Sequence, residues 1–160
     1  MYKITVLCVG SLKEAYWRQA FAEDEKLLRP YCRFTVTEVA EERVPDRPSA
    51  AQLKAVIDAE GERLLAKLAP SSYPIALCIE GKEHSSEQLA ALFERLAVGG
   101  DGDITLLIGG SWGLSDAVKA RAKCKLSMSP MTFPHQLARV MLCEQIYRAM
   151  QILSGGQYHK

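Results

Sequence analysis

Long apolar runs are missing from this sequence. No stretch of its 160 residues approaches the roughly 18 unbroken apolar positions that a bilayer-crossing helix requires, so no membrane span is expected. An excess of one charge is missing too. The 20 basic side chains stand against 19 acidic ones, so overall charge by itself advertises no nucleic-acid partner. Histidine is confined to His84, His135 and His159, isolated from one another and from any cysteine at zinc spacing, and no metal site is expected. The five cysteines (Cys8, Cys32, Cys78, Cys124, Cys143) are odd in number, scattered and form no CxxC. That is the pattern of reduced thiols in a cytoplasmic protein rather than a disulfide framework. The one glycine turn after an opening strand, Gly10-Ser11-Leu12-Lys13, lacks the further glycines of a Walker loop. No repeat, low-complexity tract or linker divides the chain, so residues 1–160 are expected to form one domain. Met1-Tyr2-Lys3 runs straight into Ile4–Val9, which reads as a first strand rather than a secretion signal.

What is present is an alternation of strand and helix patterns. Residues 3–9, 33–39, 74–79 and 103–108 are β-rich runs, and Leu126 to Met128 is a short last strand. Residues 14–29 show helical spacing until Pro30 stops them. Ser49 with Gln52, and Ser85 with Gln88, have the form of capping boxes. The helix after Ser49 contains Gly61, a weak point costing about 1 kcal/mol relative to alanine. Ser115 is placed to cap a short helix to about Lys123, and Pro134 is placed at the first position of a long helix to about Leu153. The expected architecture is α/β, a mainly parallel sheet with helices on both faces. Ligands of such sheets bind beyond the carboxyl ends of the strands, which directs attention to the loops after Val9, Ile79, Ile108 and Met128.

Three of these regions carry chemical interest. The loop Gly109-Gly110-Ser111-Trp112-Gly113 joins a buried strand to a helix, and glycines there let backbone approach a ligand. A strand-to-helix turn that needs positive φ would use the same residues. The loop also fits G-x-S-x-G, with Ser111 as a hydrolase nucleophile and Asp116 and His135 following in order. Against that stand the closeness of the Ser115 cap and of Asp116, and the shortness of the chain. The segment Ser127 to His135 is apolar and holds two prolines and two methionines, so protein or ligand must cover it. The tail beyond Gly155-Gly156 carries Tyr158 and His159, either frayed or docked into a site. Charge is also unevenly spread: residues 1–80 hold 11 basic and 12 acidic side chains, whereas residues 117–160 hold seven basic ones against Glu144 alone. Such a patch suits phosphate contacts, or is simply a solvated helix face.

The run LLIGG-SWGLS, the stretch SMSPMTFPHQLARVMLCEQIYRAMQI and the ending YHK resemble the RlmH family, ribosomal RNA large subunit methyltransferases H of the SPOUT superfamily. The resemblance extends over the whole chain. It departs at Ser111-Trp112, where small, proline or acidic residues are more usual, and at Gln157, where proline often precedes Tyr-His. It implies an α/β domain with a C-terminal trefoil knot, a kind of topology that general rules would reject, and a homodimer. It implies S-adenosyl-L-methionine as cofactor and N3 of a pseudouridine in 23S ribosomal RNA as acceptor, on the assembled 70S ribosome. By position, the cofactor contacts it implies are Leu77, Gly109, Met128, Ser129, Pro130, Met131, Thr132 and Phe133. Candidate acid–base groups are His135, Tyr158 and His159, with Arg139 and Lys160 as RNA contacts. A domain of this size would recognise RNA with its catalytic surface. Two rivals stay open at this stage: a serine hydrolase using Ser111, and a non-catalytic ribosome-binding or dimerising module.

Overall fold

A computed structural model of the chain describes residues 1–158. Five strands, β1 (Tyr2–Val9), β2 (Cys32–Val39), β3 (Tyr73–Glu83), β4 (Asp103–Ile108) and β5 (Cys124–Ser127), pair in the order β2-β1-β4-β3-β5. Every pairing is parallel. The helices are α1 (Ala15–Leu28), α2 (Ala50–Lys67), α3 (Ser86–Val98), α4 (Asp116–Arg121) and α5 (His135–Leu153). Both faces of the sheet are covered, as the alternating pattern predicts. Side chains two apart on a strand share a face. Ile4, Val6 and Cys8 of β1 therefore join Ile104, Leu106 and Ile108 of β4 against α1, α3 and α5. Leu7, Val9 and Leu107 turn the other way, onto Leu64 of α2, Val118 of α4 and Leu114. No helix among the described residues is long and apolar enough to cross a membrane.

Local signals explain most boundaries. Ser49 and Ser85 form reciprocal capping boxes with Gln52 and Gln88. The Ser115 hydroxyl accepts the Val118 N–H at 3.2 Å and starts α4, which ends at Arg121 rather than Lys123. Pro134 is the cap of α5 and not its first helical residue. β5 lies two residues earlier at its start than the expected 126–128, because Ile75 and Ala76 of β3 offer pairing to Cys124 and Lys125. β3 runs four residues past the expected Ile79. Its far end turns around β5: Leu126 pairs with both Leu77 and Lys82, with the register broken between them. A Cβ on Gly81 would lie 2.7 Å from the Leu126 backbone, so only glycine permits this wrap.

Gly61 is more than a helix weakness. A Cβ there would sit 2.2 Å from the Ser115 hydroxyl oxygen and 2.8 Å from its Cβ. The missing side chain is what lets the start of α4 approach α2, and so it sets the far anchor of the loop that leaves β4.

Candidate cofactor cavity and its surroundings

The middle of β3, where it has left β4, and the carboxyl ends of β4 and β5 open into one cavity of about 910 Å³. That size lies in the upper range of small-molecule sites. Its walls come mainly from three segments far apart in sequence: 77–80 within β3, 108–114 from the end of β4 into the following loop, and 127–135 from the end of β5 to the start of α5. Leu77, Ile108, Leu114, Met128 and Phe133 make it largely apolar. Glu80 and Lys119 add a charged pair, with the ammonium 2.5 Å from the carboxylate. That contact holds the Glu80 carboxyl below the usual glutamate range and raises the Lys119 ammonium.

The glycine loop is tightly folded. The Gly113 N–H donates to the Gly110 carbonyl at 3.1 Å, and Gly113 has φ of +87°, a left-handed conformation that favours glycine. A Cβ on Gly109 would lie 2.4 Å from the Gly113 carbonyl carbon, so the loop folds back over a position that only glycine can fill. Behind it stands Glu60 of α2, 4% exposed, whose carboxylate accepts the Glu42 N–H at 3.1 Å. Both its oxygens lie 3.2 Å from where a Gly110 Cβ would be. Burial raises its pKa. Pattern reading missed Glu60, although a charged residue four positions from Val56 and four from Leu64 on the buried face of α2 was the available sign.

The loop from β5 to α5 is organised from within. The Ser127 hydroxyl donates to the Ser129 carbonyl at 3.2 Å, and the Ser129 hydroxyl accepts the Met131 N–H at 3.0 Å. Of the residues singled out by sequence, Leu77, Gly109, Met128, Ser129, Met131, Thr132, Phe133 and His135 all line the cavity. Pro130 does not; it is exposed between two residues that do. His135 begins α5, with a buried and unpartnered Nε2 that lies 3.8 Å from Glu41. Burial lowers its pKa, against the pull of Glu41 in the opposite direction. The imidazole is therefore neutral at pH 7.

One other expectation is corrected. Arg139 is no RNA contact, being 2% exposed. Its guanidinium donates to Glu38 at 2.8 Å and to the Gly10 carbonyl at 2.8 Å, tying α5 to the ends of β1 and β2. Tyr158 does not reach the cavity of its own chain. Its phenol donates to Glu144 at 3.0 Å, and its ring packs 4.9 Å from Tyr147 and under Arg148. His159 and Lys160 lie outside the described residues. The C-terminal charge excess is also largely spent within the fold. Lys119 pairs with Glu80, Lys123 with Asp101, Arg139 with Glu38 and Arg148 with Glu144. Arg121 and Lys125 are exposed and have no ion-pair partner among the described residues.

A hydrolase triad is not assembled. Ser111 lines the cavity from an exposed turn rather than a strained elbow, and His135 Nε2 has no hydrogen-bond partner among the described residues. Among those residues no group of three histidine, cysteine or acidic side chains is placed to hold a metal.

Comparison with known proteins adds a second line of observation. Residues 2–159 match the family described as "Predicted SPOUT methyltransferase". The chain is 48% identical over 157 residues to the ribosomal RNA large subunit methyltransferase H of Bacillus pumilus, covering 98% of this chain and 99% of the relative. It is 49% identical over 159 residues to the protein of the same description from Pelotomaculum thermopropionicum, covering 99% of each. Among solved structures, a probable methyltransferase from Bordetella pertussis shares the fold with a TM-score of 0.56 at 17% identity, covering 92% of this chain and 95% of that one. A putative methyltransferase from Legionella pneumophila, solved with bound SAM, gives a TM-score of 0.50 at 13% identity, covering 95% and 66%.

Proposed function

Because the chain belongs to the SPOUT methyltransferase family, we propose that it transfers a methyl group from S-adenosyl-L-methionine to large-subunit ribosomal RNA. The finer reading is N3 of a pseudouridine in 23S RNA as acceptor, on the assembled 70S ribosome. One observation carries the proposal. Leu77, Gly109 and the loop around Met128–Phe133, separate in sequence, converge on a single cavity beside the carboxyl ends of β4 and β5.

The residues present fit such a cofactor. Apolar walls at Leu77, Met128 and Phe133 suit an adenine ring, and the Cβ-free Gly109 lets backbone close on it. The bound sulfonium supplies an already activated methyl group. What remains for the chain is to hold the acceptor in line, exclude water and take away the N3 proton. Neutral His135 on the cavity wall is the base assigned to that proton. His159 and Lys160 are assigned to the RNA.

The dimer and the knot belong to the same proposal. The wrap of β3 around Leu126 supports a threaded C-terminal segment, and a homodimer is read out by sedimentation. The deciding experiment is methyl transfer from labelled cofactor to purified 70S particles that lack the modification, followed by mapping of the base. Transfer to free 23S RNA but not to particles would overturn the assembled-ribosome reading. Absence of transfer to either, with no heat of cofactor binding, would overturn the enzyme and leave a binding module.

A further inference from the structure

The cavity has an inner wall and an outer rim, and they differ in exposure. Three large apolar side chains stand at the rim: Ile79 at 53% exposed, Trp112 at 49% and Met131 at 73%. Each comes from a different one of the three segments that build the site. Trp112 is the unusual member. It sits at the tip of the Gly110–Gly113 turn, whose ends are fixed by the Gly113-to-Gly110 hydrogen bond and by the close packing of Gly109 beneath it. Its indole has no ring or cation–π partner among the described residues, whereas Trp17 packs on Tyr16. A large aromatic held out on a rigid turn without a partner leaves a flat apolar face for whatever enters the cavity from outside.

The chemistry of the entrant follows from the reaction. N3 lies on the ring edge of a base, and that edge reaches a buried methyl donor only if the base leaves its stack. A displaced base loses its neighbours, and an aromatic side chain that replaces them favours the displaced state. Cations stand close by. Lys125 is exposed, lacks an ion-pair partner among the described residues, and acts electrostatically on Cys78 and Glu80 of the cavity wall. Such a cation suits a phosphate that follows the base. A second copy of the chain is the competing occupant of this rim, and the oligomeric-state arm of the test below separates the two.

We infer that Trp112 is the stacking platform for a nucleobase of the RNA substrate at the cavity mouth, faced by Ile79 and Met131. The inference rests on the RNA methyltransferase reading, and its test separates the two. Trp112→Leu keeps bulk and apolarity but removes the aromatic face; Trp112→Phe keeps a face. In methyl transfer to 70S particles, Trp112→Leu is expected to raise KM for the particle about tenfold or more, with Trp112→Phe within about threefold of the parent. Cofactor affinity by calorimetry and oligomeric state by sedimentation are expected to stay unchanged in both. An unchanged KM in Trp112→Leu overturns the platform. So does a weakened cofactor, which would make the indole part of the cofactor site, and so does a dissociated oligomer, which would make it a contact between copies. A readout independent of turnover uses a Trp17→Phe background, where Trp112 is the single tryptophan. Its fluorescence should be quenched by a short single-stranded uridine-containing RNA, and a signal unmoved by RNA would overturn the proposal even if methyl transfer were absent.

Discussion

Replacing Gly109 with alanine tests the geometry of the cavity at its tightest point. The added Cβ would lie 2.4 Å from the Gly113 carbonyl carbon, 2.6 Å from its oxygen and 2.8 Å from the Leu114 nitrogen. Ordinary van der Waals contact begins near 3.4 Å, so something must move by about 1 Å. All three obstructing atoms are backbone, and no side chain can swing aside. The strand side is held by the pairing of Ile108 with Cys8, and the helix side by buried Leu114 and the Ser115 cap. The displacement therefore falls on residues 109–113, the segment that bounds the cavity. Overpacking of this kind costs about 1–3 kcal/mol, and each 1.4 kcal/mol lost from binding is a factor of about ten. Gly109→Ala is thus expected to weaken S-adenosyl-L-methionine at least about tenfold by titration calorimetry and to lower the denaturation midpoint. Gly100→Ala is the control. Unlike Gly109 it has a positive φ, +91°, and open space around the missing Cβ, so it should lose about 1 kcal/mol of stability with no change in cofactor affinity. If Gly109→Ala bound cofactor within twofold of the parent at unchanged stability, the assignment of this loop to the cofactor would be wrong.

Gly61→Ala should destabilise the protein by about 1–2 kcal/mol in urea unfolding, the reverse of the gain of about 1 kcal/mol that helix propensity alone offers, because the new methyl collides with the Ser115 cap. Arg139→Met should cost about 2–3 kcal/mol: Glu38 can turn to water, but the buried Gly10 carbonyl loses its donor. Particle binding by the fraction that stays folded should be unaltered, and a selective loss of RNA affinity would restore Arg139 as an RNA contact. For His135 the sign follows from its lowered pKa. The imidazole is neutral and competent as a base at pH 7, gains its proton only below the ordinary imidazole value of 6.5, and loses competence there. The rate of methyl transfer should therefore fall on the acid side of that value in the parent, and His135→Gln should be slower at neutral pH and lack that acid limb. An identical acid limb in both proteins would assign it elsewhere.

Much of this was legible in the residues. Period-two alternation and capping signals place nearly every element because both are local: a side chain's face follows from its strand position, and a cap needs only the next three residues. Gly109 and the 128–133 loop were legible for a different reason, since glycines and an apolar loop after buried strands ask for a cover that local structure cannot supply; Leu77 came only from the family resemblance. What misled the pattern reading was long-range. Arg139 read as a free cation because its partner, Glu38, is 101 residues away. Lys119 and Lys123 belonged to the same apparent patch until Glu80 and Asp101 were brought beside them; only Arg148 has a local partner, Glu144 one turn earlier on α5. Glu60 escaped notice because its relation to Gly110 exists only once α2 lies behind the glycine loop.

The sequence by itself determined the strand and helix order, the both-faced parallel sheet and the segments able to meet a ligand. These follow from periodicity, from caps and from the φ values that particular residues allow. The tertiary structure decided which charges remain available, why Gly61 and Gly81 must be glycine, and which residues share the cavity. It did so because ion pairing, burial and close backbone approach depend on distances between segments, and no spacing along the chain encodes them.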